Sequence, residues 1–132
     1  MNYKYMMMAA LNNLLEDVER LNYPIYATLM QDKKPRFGFF GFTKKVLLVA
    51  ILDDSQRKIE WTKRILLTDI VQVTSKKALI PGQQIVTMKF ADGDSYKLRI
   101  SKKLMNVDTQ EKNAADFLAY LDRRFMNKTA EQ

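Results

Sequence analysis

The sequence contains neither histidine nor cysteine among its 132 residues. Without cysteine there is no disulfide framework, thiolate nucleophile or thiolate metal ligand, and without histidine the usual general base near neutral pH is missing. These absences exclude most hydrolase triads and most zinc sites. We therefore expect a protein that is not an enzyme, with no catalytic residues, no bound metal and no cofactor.

Long apolar runs and flexible linkers are also absent. The longest uninterrupted apolar stretch is Val46–Leu52, whereas a membrane-spanning helix needs about 20 apolar residues. The apolar run at residues 6–11 ends at Asn12 and is too short for the hydrophobic region of a signal peptide. Four glycines and three prolines leave little room for a linker. We expect one compact domain in the cytoplasm, either free or peripheral at the inner face of the membrane.

Residues 25–101 have the pattern of an antiparallel meander, with short runs rich in Val, Ile, Thr and aromatic residues separated by polar breaks. No break leaves room for a crossover helix, which disfavours a parallel topology. Val46–Leu52 is apolar at every position, which indicates a strand covered on both faces. The seven predicted strands are 25–31, 36–42, 46–52, 57–64, 70–75, 84–90 and 95–101.

An amphipathic helix is predicted over residues 6–21, because apolar side chains recur there at steps of four and three. It should end near Asn22, since Pro24 cannot continue a helix. About two heptads are present and a coiled coil needs three or four, so we expect this N-terminal segment, 1–23, to dock on the domain that follows, with packing against a partner as the alternative. The stripe consists of Met7, Leu11, Leu14, Val18 and Leu21.

A second amphipathic helix is predicted over residues 108–126. Asp108 and Glu111 have the spacing of a capping box, which marks the start of a helix. Its apolar stripe must be buried, and the open end of a strongly bent sheet is the surface that it would plug. The stripe consists of Ala114, Phe117, Leu118, Leu121 and Phe125.

Seven short antiparallel strands followed by one C-terminal helix resemble the pleckstrin-homology (PH) superfold. Three segments are similar to bacterial PH-like and GRAM-like domains: residues 38–48 (GFFGFTKKVLL), residues 68–73 (TDIVQV) and the hairpin turn at residues 92–94 (DGD). The resemblance covers residues 24–126. It implies a mainly β (α+β) domain over residues 24–132, a bent seven-stranded antiparallel sheet or partly open barrel plugged by its C-terminal helix, and a binding or assembly role.

Positive charge is concentrated in the predicted strands and turns. The formal net charge is +7, and residues 33–107 contain sixteen basic and six acidic side chains. Solvated lysines at strand ends often serve only solubility, but such a surface also attracts anionic lipid head groups. The first and third turns of a meander lie at the same end, although Asp53 and Asp54 weaken the patch there. The candidate anionic-surface patch consists of Lys33, Lys34, Arg36, Arg57 and Lys58.

Aromatic residues cluster in the second predicted strand. Strand alternation places Phe37 and Phe39 on one face and Phe40 and Phe42 on the other. Both faces cannot be exposed to water, so either the core and a covering element bury them, or part of the cluster forms a subunit interface. The candidate association surface is Phe37, Phe39, Phe40 and Phe42.

The expected function is a noncatalytic binding or assembly module that associates with a protein partner or with itself. Peripheral binding to an anionic membrane through the basic patch is an alternative, and a barrel that handles a small ligand or lipid is another. Nucleic acid is not an expected partner. In the RNA-recognition strand pattern a glycine follows the basic residue, whereas Phe37 follows Arg36 here, and that fold also needs helices between its strands.

Overall fold

The computed structural model describes residues 3–31, 34–104 and 109–126, apart from the side chain of Met126. Two α-helices are present in the described residues, α1 (Tyr3–Asn12) and α2 (Gln110–Leu121). A 3-10 turn (Leu67–Asp69) and a π-helical turn (Asp122–Met126) complete the helical elements. The strands are β1 (Asn22–Gln31), β2 (Lys34–Phe42), β3 (Val46–Leu52), β4 (Ile59–Leu66), β5 (Ile70–Lys77), β6 (Gln83–Phe90) and β7 (Ser95–Ser101).

All seven strands form one open antiparallel sheet in the order β4-β3-β2-β1-β7-β6-β5. This confirms the predicted fold class, with an open sheet and not a closed barrel. The first strand joins the two halves, because β1 pairs with β2 along most of its length but with β7 only through residues 28–30 and 97–99. The halves are therefore β1–β4 and β5–β7, joined at a short seam.

The inner face of the bent sheet encloses the larger hydrophobic core, and α2 packs into it. Ala114, Phe117 and Leu121 of α2 are fully buried against side chains from both halves of the sheet. The ring of Phe117 lies 4.8 Å from that of Phe42, between ring centroids. This agrees with the predicted stripe and with its burial under the sheet. Asp108, the predicted first member of the capping box, lies outside the described residues.

The outer face of β1–β3 forms a second apolar layer beneath α1. Met7 and Leu11 of the helix are fully buried there, together with Phe39 of β2 and Leu48 and Leu52 of β3. Every residue of β3 is buried, because its odd and even positions enter different cores. The predicted cover on both faces of this strand is confirmed.

The predicted extent of the N-terminal helix is wrong. The helix ends at Asn12 and not near residue 21, and Val18, assigned to its apolar stripe, is 95% exposed. Asp17 adopts a positive φ of 34°, which a helix does not allow. The segment after α1 instead turns toward β4, where the guanidinium of Arg64 donates to the carbonyl oxygen of Leu14 at 2.9 Å. A contact fifty residues away in sequence therefore overrides the helical periodicity.

The fourth strand begins at Ile59, two residues later than predicted. The carboxylate of Asp53 accepts hydrogen bonds from the backbone N–H of Arg57 at 3.0 Å and of Lys58 at 3.4 Å. These bonds keep both basic residues in the β3–β4 turn, where an aspartate side chain commonly closes a loop.

Candidate functional site

The structure brings the start of β2 and the β3–β4 turn together, as predicted, but it also brings acidic side chains to the basic ones. Lys34 Nζ lies 3.2 Å from Asp54 Oδ1. Arg36 forms an ion pair with Glu60 and also donates to the carbonyl oxygen of Leu52 at 3.3 Å. Lys33 lies outside the described residues. Two of the four described cations of this patch are therefore paired within the protein.

Asp53 adds a third carboxylate at this end of the sheet. The hydrogen bond from the backbone N–H of Arg57 is the largest of several effects that lower the pKa of Asp53, so this group stays ionised beside Lys58. The cleft between the two turns, about 360 Å³, is lined by Lys34 and Arg36 together with Asp53 and Asp54. Opposite charges alternate here, and an anionic surface gains little from such an arrangement.

The predicted aromatic association surface does not form. Phe39, Phe40 and Phe42 are all 0% exposed, the first under α1 and the other two in the inner core. Phe37 is half-buried and stacks on Tyr26, with the ring centroids 6.0 Å apart. Their burial leaves no contiguous apolar surface for a partner, so the other outcome, cover on both faces, is the one observed.

The outer face of β5–β7 contrasts with these buried regions. Val86, Met88, Leu98 and Ile100 point into the inner core, so the alternate residues point outward. In the described residues neither α1 nor α2 packs on that side, and none of the three strands contains an acidic residue. The outward positions that carry positive charge are Lys76, Lys89, Lys97 and Arg99.

The loop between β5 and β6 carries two exposed aliphatic side chains next to this basic surface. Leu79 is fully exposed and Ile80 is 55% exposed. The loop is closed by two backbone hydrogen bonds, from Ala78 to Gln83 at 3.0 Å and from Gln83 to Ile80 at 3.3 Å. Gly82 supplies the positive φ of 81° that the turn requires. An ordered turn therefore presents two aliphatic side chains to the solvent.

Four lysines surround this loop. Lys76 and Lys77 end β5 immediately before it, and the backbone N–H of Lys102 donates to the carbonyl oxygen of Gly82 at 2.9 Å, which brings Lys102 and Lys103 to the other side. All four lysines are exposed. We call Leu79, Ile80 and these four lysines the β5–β6 tip. This site was not identified from the sequence, because its two lysine pairs are 25 residues apart in the chain and only the fold brings them together.

A cleft opens between the tip and the last helix. It has a volume of about 680 Å³, and its basic side includes Lys102 and Lys103. Glu111 lies opposite, with its Oε1 3.9 Å from Lys103 Nζ. The hydroxyl of Ser101 accepts a hydrogen bond from Gln83 Nε2 at 3.2 Å at the same place. The remaining lining residues are Pro81, Gly82, Ala115 and Leu118.

Neither a metal centre nor a spanning helix is found in the part of the chain that the structure describes. Acidic side chains there form no group of three or more that would hold a metal ion. Over the same residues, no helix combines the length and the hydrophobicity needed to cross a bilayer.

Two solved structures are similar in fold. The hSac2 domain from the human phosphoinositide phosphatase Sac2 has a TM-score of 0.59 and 12% sequence identity, and the match covers 98% of this chain and 83% of that chain. The C-terminal domain of an unknown protein from Leishmania infantum has a TM-score of 0.59 and 11% identity, with 89% and 96% covered. At such identities the likeness concerns the β-sheet fold alone. No family model and no curated protein matches the sequence.

Proposed function

We propose that this chain is a noncatalytic, PH-like binding module that attaches to anionic membrane surfaces through the β5–β6 tip. The PH-like assignment is supported by the strand order β4-β3-β2-β1-β7-β6-β5 and by the C-terminal helix packed into the bent sheet. A binding role is supported by the β5–β6 tip, where Leu79 and Ile80 are exposed to solvent beside four exposed lysines.

The observation that carries the proposal is the pairing of two exposed aliphatic side chains with four lysines at one loop. Full burial of a Leu or Ile side chain contributes roughly 1.5–3 kcal/mol, and each lysine near an anionic leaflet contributes about 1 kcal/mol. Neither contribution alone holds a protein at a membrane, but the two together do. At the β1–β2 end of the sheet, Lys34 and Arg36 are paired with carboxylates, which weakens the attraction of that end for an anionic surface.

Vesicle sedimentation tests the proposal. The protein should bind phosphatidylglycerol vesicles at low salt, bind them less at high salt because charge is screened, and ignore phosphatidylcholine vesicles. The double variant Leu79→Ser/Ile80→Ser should weaken binding at least tenfold, which corresponds to about 1.4 kcal/mol. No binding of the wild type to anionic vesicles at low salt would refute the proposal.

A matched control is available at the corner between β4 and β5. Leu66 and Val71 are 52% and 63% exposed, so Leu66→Ser/Val71→Ser removes two exposed aliphatic side chains at the opposite end of β5 from the tip. This control should bind vesicles as the wild type does. Equal losses in both double variants would mean that general hydrophobicity, and not the tip, drives binding.

A second candidate function is self-association, and the same corner supports it. Leu66 and Val71 flank the turn Leu67–Asp69 at the two unpaired edges of the sheet, and exposed strand edges favour pairing with another chain. Light scattering over a range of concentrations should then show a dimer that Leu66→Ser/Val71→Ser disrupts and Leu79→Ser/Ile80→Ser does not. A strict monomer at high concentration would exclude this candidate.

A further inference from the structure

The cleft beside the β5–β6 tip is shaped by the same loop that carries the exposed aliphatic residues. Pro81 and Gly82 form part of its wall, directly after Leu79 and Ile80 in the chain. If the tip enters the acyl region of a leaflet, the cleft lies immediately behind it, at the depth of the lipid head groups. This placement gives the cleft access to a phosphate.

The polar groups of the cleft suit a phosphate group. Each lysine ammonium has three donors, and a hydroxyl has one proton to donate besides its acceptor capacity. The Ser101 hydroxyl accepts from Gln83 Nε2, so its own proton is left to donate. Ser101, the last residue of β7, and the two residues that follow it, Lys102 and Lys103, all line the cleft.

The carboxylate of Glu111 occupies the position opposite these donors. Its distance of 3.9 Å from Lys103 Nζ exceeds the roughly 2.7–2.9 Å of a charge-assisted hydrogen bond. Both side chains are largely exposed, and exposed pairs of this kind contribute little to stability. Lys103 is therefore free to exchange this partner for a phosphate, and Glu111 acts as a competitor for it.

We propose that this cleft binds the phosphate group of an anionic membrane lipid through Lys102, Lys103 and the Ser101 hydroxyl, with Glu111 weakening that binding. The proposal rests on the proposed membrane attachment, for which it names the ligand group. Ala115 and Leu118 of α2 add apolar surface to the cleft, which suits the glycerol carbons beside a lipid phosphate better than a free phosphate ion.

Two matched pairs of variants on vesicles separate the cleft from net charge. Glu111→Gln and Asp116→Asn each remove one negative charge from α2, but Asp116 pairs with Lys112 at 2.8 Å and does not line the cleft. Glu111→Gln should strengthen binding to phosphatidylglycerol vesicles about threefold to fivefold, and Asp116→Asn should change it less than twofold. Equal effects in both variants would overturn the proposal that the cleft binds a lipid phosphate.

Substitution of a lysine in the cleft should weaken vesicle binding, whereas substitution of Glu111 should strengthen it. Lys103→Ala should weaken vesicle binding about fivefold, which is what about 1 kcal/mol per lysine corresponds to, whereas Lys112→Ala should leave it within twofold. Both lysines are about 80% exposed, so neither variant is expected to disturb the fold. A loss in Lys112→Ala as large as that in Lys103→Ala would also overturn the cleft.

Soluble probes identify the source of the phosphate. Backbone amide shifts of Gly82, Ser101 and Lys102 are followed in NMR titrations with short-chain phosphatidylglycerol below its micellar concentration and with glycerol 3-phosphate. The lipid should shift these amides at lower concentration than glycerol 3-phosphate does. Equal potency would assign the cleft to free phosphate esters, and no shift with either probe would overturn it as a phosphate site.

The same titrations distinguish failure of the cleft from failure of membrane attachment. In Leu79→Ser/Ile80→Ser the amide shifts should persist while vesicle binding is lost. Vesicle binding without any amide shifts would overturn the cleft and leave the tip proposal intact. Amide shifts in a wild type that binds no vesicles would refute membrane attachment and leave a phosphate site.

Discussion

The two halves of the sheet differ in the burial of their outer faces. The outer face of β1–β3 lies under α1 and includes side chains such as Phe39, Leu48 and Ala50. The outer face of β5–β7 has no helix over it in the described residues, and it presents Lys89, Lys97 and their polar neighbours. Most of the first half is therefore covered on both faces, whereas β5–β7 expose their outer face to solvent. The proposed membrane contact lies at one end of β5–β7.

The largest predicted loss of stability follows from this difference in burial. Leu48 and Ile85 are aliphatic residues on the outer faces of β3 and β6, the first fully buried and the second half-buried. Leu48→Ala should lower the free energy of unfolding by about 2–5 kcal/mol, because it leaves a cavity under α1. Ile85→Ala should cost about 1 kcal/mol or less. Urea unfolding measures both, and equal losses would contradict the two-half description.

The seam between the halves provides the next effect. Gln110 is fully buried at the start of α2, where its amide accepts from the backbone N–H of Tyr26 at 3.0 Å and donates to the carbonyl oxygens of Tyr26 and Ser101, both at 2.9 Å. These groups belong to β1 and β7 just beyond their last paired residues, 28 and 99. A side chain of α2 thus replaces the missing backbone pairing.

Gln110→Leu should lower the free energy of unfolding by about 1–3 kcal/mol, because it leaves buried backbone groups without partners. It should also speed hydrogen exchange at the Tyr26 amide. Gln84→Leu is the control, since it removes a single side-chain bond to Ser75 away from the seam. Protection of the Tyr26 amide that is unchanged in Gln110→Leu would show that the seam does not depend on this side chain.

The smallest effect concerns the segment that leads from α1 back to the sheet. Arg64 Nη1 donates to Glu19 Oε1 at 2.6 Å, and its Nη2 lies 3.2 Å from Glu16 Oε1. The hydrogen bond from Arg64 lowers the pKa of Glu19 from 4.5 to about 2, and the backbone N–H of Glu16 adds to this. A carboxyl group whose pKa is lowered by folding stabilises the folded state at pH values above the ordinary pKa of that group. This contribution is lost as the pH falls toward the lowered pKa.

The wild type should therefore lose thermal stability between pH 4.5 and about 2, the interval between the two pKa values of Glu19. Arg64→Met should lower Tm at neutral pH slightly and flatten the loss over this interval. Melting curves across the range test this, with Arg57→Met as the control that leaves the Arg64 contacts in place. An acid profile of Arg64→Met that parallels the control would exclude this role of Arg64.

Patterns of neighbouring residues predicted much of the fold. Alternation and turn signals indicated seven strands, and the apolar positions of β3 indicated cover on both faces. The stripe of α2 was also predicted, because a helix that must bury one face shows that face in its own sequence. These features depend on residues a few positions apart, which is the range over which a pattern carries information.

The candidate site was harder to predict, because its parts are distant in sequence. Lys34 and Arg36 were expected in a basic patch weakened by Asp53 and Asp54, but the pairing of Arg36 with Glu60 of β4 was not expected. The β5–β6 tip was missed for the same reason, since Lys102 joins it only through its backbone bond to Gly82. Charge counts along the chain do not show which charges meet.

By itself the sequence determined the class of molecule: a chain without His or Cys, with a basic middle segment, alternating strands and an amphipathic C-terminal helix. Only the tertiary structure decided where α1 ends, which basic residues are neutralised and which outer face no described helix covers. The physical reason is the separation in sequence of the residues that interact. Strand and helix periodicity is set by adjacent residues, whereas ion pairs, burial and exposure depend on side chains that the fold brings together from far apart.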